Sequence, residues 1–519
     1  MRIGIDVGGT NTDAVLMDGA TVVAKIKTST TADVTSGVVT AIESLLRSSG
    51  IDRAELRAVM IGTTHFTNAL IERRRLAPTA VLRLGLPAAA SIDPFDDWPA
   101  DLRDAVGGRW RLAHGGHEFD GRELSALDPA EIARIVRELV SDGVESLAVT
   151  AVFSSLTGET EQHVARIVAE EAPQVAVTLS HEIGRVGLLE RENATAINAA
   201  LRPLATTTVG SFRRSLGELG IDAPLYLTQN DGTLMSADMA ERYPVLTFAS
   251  GPTNSMRGAA FLSGLPDALV LDVGGTTSDI GALVHGFPRE SAVVATFGDV
   301  RTNFRMPDLI SFGLGGGSIV RGEQPRLGPD SVGYAITERA LVFGGDVLTA
   351  TDLAVAGGRA QVGDTALASG VDPALARRGL DAMRAMTEDA LDRIKLARDP
   401  EPVIVVGGGS ILVGDELAGA SRVVRPEHYE VANAVGAAIA QVSGEIDRIE
   451  PSDDGRERII ERARCAAVDR AVANGAVPGS VQIVEIEDAP VPYMEKRMLR
   501  VRVKAVGELT DVAAAGSVA

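Results

Sequence analysis

The chain has 519 residues, 45% of them hydrophobic but only 4% aromatic, with a formal net charge of −20. That length implies several domains with cores of Ala, Val, Leu and Ile, and that charge argues against nucleic acid or an anionic membrane surface as a partner. The single cysteine, Cys465, excludes an intramolecular disulfide framework and a cysteine-held cluster within one chain.

An apolar run at Ile3–Ile5 enters Asp6-Val7-Gly8-Gly9-Thr10-Asn11-Thr12-Asp13 and leaves through Ala14–Met17, which predicts strand, tight turn, strand. A third strand follows near Thr21 to Lys27, then an amphipathic helix from about Thr35 to Ser48. Ala58–Ile61 is a short strand ending in Gly62-Thr63-Thr64-His65, followed by a helix over Thr67–Arg74 and a strand at Thr79–Leu84. Residues 86 to 127 are rich in Asp, Gly and Pro and read as an irregular insertion. Alternation then resumes: helix Pro129–Ser141, strand Ser146–Val152, helix Gly158–Glu171, strand Gln174–Leu179. Such alternation predicts an α/β fold.

Glu190–Leu204 reads as a connecting helix, and Leu225–Thr228 as a strand running into Gln229-Asn230-Asp231-Gly232. A second α/β unit begins at Leu269 with Asp272-Val273-Gly274-Gly275-Thr276-Thr277-Ser278-Asp279, a near copy of the first octapeptide. Its late landmark is a buried strand, Pro402–Val406, opening into Gly407-Gly408-Gly409-Ser410, with a small-residue helix at Val431–Ile439. Beyond residue 450 a charged helix (Asp454–Ala473) and alternating runs at Val481–Ile486 and Met498–Val506 predict a small helix-plus-hairpin unit. The boundaries are therefore 1–188, 189–450 and 451–519. Met1 leads straight into a strand without a basic leader, and no window holds about 18 uncharged apolar residues, so a cytoplasmic protein is expected.

Gly-Gly lets backbone N–H groups approach a phosphate, threonine adds a hydroxyl donor, and aspartate at a strand end suits hydrated Mg²⁺. Two such turns predict two related halves gripping one nucleotide. Neither has the lysine or the following helix of a Walker loop. Asp6 and Asp272 are the candidate metal and catalytic carboxylates, with Thr10 and Thr276 beside them. Gly8, Gly9, Asn11, Gly274, Gly275 and Thr277 are further nucleotide-binding candidates, joined by Gly407, Gly408, Gly409 and Ser410, while Gly315, Gly316 and Gly317 could line the phosphate chamber or simply allow a turn. Thr63, Thr64, His65, Asn68 and Asp231 are the substrate candidates.

Simpler readings stand beside these. Thr64 or Thr67 could cap a helix, Asn-Asp-Gly is an ordinary turn, Asp13 and Asp279 could stabilise turns, and His114 and His117 could be surface groups.

Together the motifs resemble the superfamily of actin, sugar kinases and heat-shock ATPases, two ribonuclease-H-like halves hinged around ATP·Mg²⁺. That resemblance makes the helices near 190–204 and 431–439 the two connectors. A closer resemblance lies in Gly62-Thr63-Thr64-His65-Phe66-Thr67-Asn68-Ala69-Leu70-Ile71-Glu72-Arg73, Gly116 to Glu123, Ser180-His181-Glu182, Glu190-Arg191-Glu192-Asn193, Gln229 to Met235, Ser250-Gly251-Pro252 and Gly313 to Ser318. These resemble the hydantoinase A / 5-oxoprolinase / acetone carboxylase β-subunit family over roughly residues 1 to 440. The resemblance implies an ATP-dependent hydrolase that phosphorylates the carbonyl of a cyclic amide or imide, with ATP and Mg²⁺ as cofactors. It also implies a second subunit for the hydrolytic step and an oligomeric assembly. A small-molecule kinase on the same scaffold, or a non-enzymatic ATPase that remodels a partner, are the alternatives.

Overall fold

The computed structural model describes residues 1–9, 11–29, 34–184, 186–291, 294–491 and 497–510. Its centre is a pair of helices, Ser250–Ser263 and Ala432–Ile439, held between two mixed sheets. Their backbones nearly touch: a Cβ on Gly258 would lie 1.8 Å from the carbonyl oxygen of Ala432, and one on Gly436 equally close to that of Asn254. Ala434, Val435 and Ala438 of the shorter helix pack on Val15 and Met17 of the first sheet. Met256 and Ala259 of the longer one pack on Val270, Leu283 and Ile404 of the second.

The two sheets are built around the same motif. Strand Arg2–Val7 pairs antiparallel with Asn11–Asp18 and parallel with Ala58–Thr63. Strand Ala268–Val273 pairs antiparallel with Ser278–Val284 and parallel with Glu401–Val406. Asp6 faces Asp13 across the first hairpin as Asp272 faces Asp279 across the second. The octapeptides are thus structural equivalents, each a strand–turn–strand with buried apolar residues on either side.

Residues 79 to 179 form a four-stranded all-parallel sheet, in the order Arg109–His114, Thr79–Leu86, Ser146–Ala151, Ala176–Leu179. Helices Pro129–Ser141 and Glu159–Glu171 bury Ile132, Ile135, Val164 and Val168 against it. The stretch 86–127, expected to be irregular, contains helix Ala100–Val106 and the sheet strand Arg109–His114. Its Gly- and Pro-rich flanks hid that strand. The Glu190-Arg191-Glu192-Asn193 segment ties this sheet to its surroundings. Glu192 takes a two-pronged ion pair from buried Arg83, Arg191 donates to Ser180 and to the carbonyl of Ala151, and Asn193 accepts from the Trp98 indole.

Two further expectations change. Helix Leu188–Glu218 buries Ala194, Ile197, Leu201 and Phe212 in the core of the first unit, so the helix lying between the sheets is Ser250–Ser263. The carboxyl-terminal hairpin, Gln482–Val491 with Met498–Gly507, is no separate appendage. Met498–Gly507 pairs along Gln441–Pro451, which pairs with Thr233–Ser236 and completes a nine-stranded first sheet. Helix Arg456–Ala473 covers that extension with Ile459, Ala463, Ala467 and Ala471. Strands Leu225–Thr228 and Thr233–Ser236 also belong to the first sheet, so sheet pairing crosses both the 188/189 and the 450/451 boundaries. Among the described residues no helix is long and apolar enough to cross a membrane.

Candidate nucleotide site

A cavity of about 660 Å³ opens between the two units. From the first hairpin Asp6, Gly8, Gly9 and Asn11 line it, and from the second Asp272, Gly274, Gly275, Thr276 and Thr277. Gly316, Gly407, Gly408, Gly409 and Thr64 complete the predicted residues that reach it. Thr10 lies outside the described residues.

The remaining predicted residues support the walls or stand elsewhere. A Cβ on Gly315 would lie 2.5 Å from the backbone nitrogen of Thr276, so only glycine lets this loop lie against the second hairpin. Gly316 and Gly317 then donate their N–H groups to the carbonyls of Gly274 and Gly275 at 3.0 and 2.7 Å. Ser410 is buried at the start of a short 3₁₀ turn. Gly407 has φ of +86°, and a Cβ there would sit 2.3 Å from Asp272 Oδ1. The bare Gly407–Gly409 turn is what leaves the Asp272 carboxylate room.

Of the substrate candidates, Thr64 alone lines this cavity. Thr63 is buried and its hydroxyl accepts from the N–H of His65, while Asn68 donates to the Thr64 hydroxyl at 3.4 Å. His65 is buried, with Nε2 3.4 Å from the guanidinium of Arg75. Asp231 lies in a second cavity of about 450 Å³, paired with Lys504 at 2.7 Å and hydrogen-bonded by Thr233. Those partners, Lys504 first, hold its carboxyl below the usual range in spite of burial. His114 is exposed beside Glu131, and His117 is buried in a bridge to Glu123.

The carboxylates in the main cavity are individually tethered. Asp6 accepts from Asn254 at 3.0 Å and from Asn433 at 3.1 Å. The same Asn433 nitrogen donates to Asp13 at 2.9 Å, and Asp13 also pairs with Lys27 at 2.7 Å. Asp272 accepts from Ser255 at 2.5 Å, and Asp279 from Ser311. Burial pushes the Asp6 carboxyl up to about 6; its two amide donors restrain the shift, while Asp13 and Asp272 add to it. Burial also raises Asp272, and it lifts Asp279 to about 6. Crowded carboxylates held above their ordinary range fit a site completed by a cation. Among the described residues no three His, Cys, Asp or Glu gather as a metal cage. Asp6 and Asp272 are the carboxylates in the cavity that could hold Mg²⁺, which takes one or two carboxylates and fills its shell with water and phosphate oxygens.

Asn254, Ser255, Asn433 and Lys27 escaped the sequence reading. Each lies in a run of small or apolar residues, or on an edge strand, that reads as packing. The short helix-to-helix distance set by Gly258 and Gly436 is what brings the two asparagines to one aspartate.

The profile of the hydantoinase/oxoprolinase N-terminal region matches residues 2–172, and the hydantoinase/oxoprolinase profile matches residues 191–389. The chain belongs to the hydantoinase/oxoprolinase family. Within this family, caprolactamase subunit alpha from Pseudomonas jessenii is 27% identical over 465 residues, which cover 84% of this chain and 65% of that protein. Acetophenone carboxylase gamma subunit from Aromatoleum aromaticum is 27% identical over 388 residues, 67% of this chain and 52% of that protein. This member therefore spans about half to two thirds of the length of those relatives. The crystal structure of the ATP-dependent caprolactamase from Pseudomonas jessenii matches it with a TM-score of 0.76 at 19% identity, covering 98% of this chain and 88% of that one. Nucleotide-free acetone carboxylase gives 0.69 at 16% identity, with coverages of 98% and 88%. At these identities the likeness is one of fold: the actin-like ATPase architecture, as the paired octapeptides implied.

Proposed function

We propose that this chain is the ATP-cleaving subunit of an enzyme that opens a cyclic amide or imide. The observation that carries this reading is the convergence of both glycine hairpins, with Asp6 and Asp272, on one cavity between two units. In this reading the amide oxygen attacks the γ-phosphorus of ATP, the bond to ADP breaks, and a phosphorylated imidate forms. Water then adds at the activated carbon, the ring C–N bond breaks as the nitrogen takes up a proton, and the acyl phosphate so formed is hydrolysed by a second water to carboxylate and phosphate. Phosphorylation corrects two faults of an amide, whose carbon is a poor electrophile and whose oxygen is a poor leaving group.

The protein's contribution is position and charge. Asp6 and Asp272 would hold Mg²⁺ or its waters, and bound Mg²⁺ supplies neutralisation of phosphoryl charge. The N–H groups of Gly8 and Gly274 close their turns on the carbonyls of Asn11 and Thr277, which leaves those of Gly9 and Gly275, at the cavity wall, as the backbone donors that would meet the phosphates. Asn254, Asn433 and Ser255 would keep the two carboxylates oriented, and Thr64, on the cavity wall, would meet the acceptor. The relatives' names, alpha and gamma subunits of larger enzymes, support a second subunit that completes the hydrolysis.

A ketone carbonyl in place of the amide is a second reading, favoured by the relative named as an acetophenone carboxylase subunit. A panel of lactams, hydantoins and ketones (the last with bicarbonate), scored for stimulated ADP release with and without a candidate second subunit, separates the two. Stimulation by a lactam or hydantoin is expected. Stimulation instead by a sugar or carboxylic acid, leaving a stable phosphate ester or acyl phosphate, would replace both readings with a small-molecule kinase.

A further inference from the structure

Among the described residues lining the main cavity, Lys27 has the one positively charged side chain, against Asp6, Asp13, Asp272, Asp279 and Glu430. It sits on Thr21–Ser29, the edge strand of the nine-stranded sheet, and its side chain is 35% exposed. Its Nζ lies 2.7 and 3.0 Å from the two oxygens of Asp13 and donates to the Glu430 carbonyl at 3.4 Å. A Cβ on Gly408 would come within 3.9 Å of that nitrogen. One amine therefore meets the first unit through Asp13 and the second through Glu430 and the Gly407–Gly409 turn. Lys25, two residues back and so on the same face of the strand, pairs with the Glu430 side chain and steadies this contact between the units.

A nucleoside triphosphate brings about four negative charges into a cavity already lined by carboxylates, and Mg²⁺ offsets two of them. A lysine ammonium on a four-carbon stem can swing several ångströms without moving its strand. When it leaves, Asp13 keeps the hydrogen bond from Asn433, so the carboxylate is not stranded. We propose that Lys27 is a phosphate-binding residue that changes partner, from Asp13 in the empty site to the terminal phosphates of the bound nucleotide. The inference rests on the reading of this cavity as a nucleotide site.

Binding of ATP, ADP and AMP to the full-length chain, measured by titration calorimetry with Mg²⁺ for wild type, Lys27→Met and Lys27→Arg, tests this. Lys27→Met should weaken ATP and ADP by about 10- to 100-fold, the size of a lost hydrogen bond to a charged group, and leave AMP within about twofold. Lys27→Arg should recover most of the loss. A methionine at a part-exposed edge position keeps the stem's volume, and an unchanged melting curve would verify the fold. Affinities of the Met variant unchanged from wild type for all three nucleotides, or an equal loss for all three, would overturn the proposal while leaving the nucleotide site standing. Failure of the wild type to bind any of the three would remove both.

Discussion

Asn433 donates to Asp6 at 3.1 Å across 427 positions of sequence. The same nitrogen reaches Asp13, so one amide on the short central helix satisfies two buried carboxylates of the first hairpin.

Asn433→Leu removes that donor. Losing hydrogen bonds to charged, buried acceptors should lower stability by about 2–3 kcal/mol, read as a shift in the urea midpoint. The Asp6 anion also loses support, so its carboxyl should rise above about 6. The acid limb of the ATPase pH profile should then move to higher pH. An unmoved limb would mean that Asp6 does not govern it.

Asp272→Ala should reduce ATP hydrolysis on the order of a hundredfold or more, while unfolding stays cooperative. Wild-type turnover in this variant would take the metal-holding role away from Asp272.

Asp279 provides a test of electrostatic strain in the nucleotide-free, chelated protein. Its carboxyl is lifted from 3.8 to about 6 by burial. The folded state therefore prefers the protonated form, and stability is fully present below about pH 4. It is lost as pH rises through about 6, a penalty of roughly 2–3 kcal/mol that then stays constant. Asp279→Asn stays neutral and can still accept the Ser311 hydroxyl. Its melting temperature should exceed wild type at pH 8 and match it near pH 4.

How much of this was visible beforehand depends on range. The two octapeptides, the Gly407–Gly409 turn and the strands and helices beside them are local patterns, and periodicity with turn chemistry was enough to find them. The strand Arg109–His114 was missed because its neighbours look like loop. Asn254 and Asn433 were missed because a polar residue inside a small-residue helix acquires meaning only once Gly258 and Gly436 let the two helices meet. Asp231 read as a cleft residue, yet its nearest cation, Lys504, lies on a strand more than half the chain away. That pairing is tertiary, and a single sequence does not encode it in any nearby pattern.

Gly436→Val places a branched side chain where even a Cβ would lie 1.8 Å from a carbonyl oxygen. The helices must separate, at a cost of about 2–3 kcal/mol by analogy with overpacked cores. Because the displaced helix carries Asn433, ATPase activity should fall further than the loss of stability alone explains. Activity and melting temperature measured together decide the point.

Arg502, 3% exposed, grips Glu290 through two hydrogen bonds of 2.8 and 2.7 Å and reaches Glu485 at 2.8 Å. Arg502→Met would leave Glu290 with Arg305 at 3.1 Å and Glu485 with the same arginine only at 3.9 Å, so the expected loss at pH 8 is about 2–3 kcal/mol, below that of a fully uncompensated buried charge. The Glu485 carboxyl, pushed up to about 7 by burial and by neighbouring Glu290, is protonated at pH 5, so the loss should shrink there, as denaturant titrations at the two pH values would reveal.

The nine-stranded ladder begins with residues 2–29 and is finished by residues 441–507, with the whole second unit made in between. On a ribosome the strand Thr233–Ser236 emerges about 200 residues before its outer neighbour Gln441–Pro451 exists, leaving a raw β-edge waiting while the second unit is made. Such distant pairing slows folding. A nascent chain cut off inside the second unit would leave Thr233–Ser236 without that neighbour, and Val15 and Met17 without the helix that covers them.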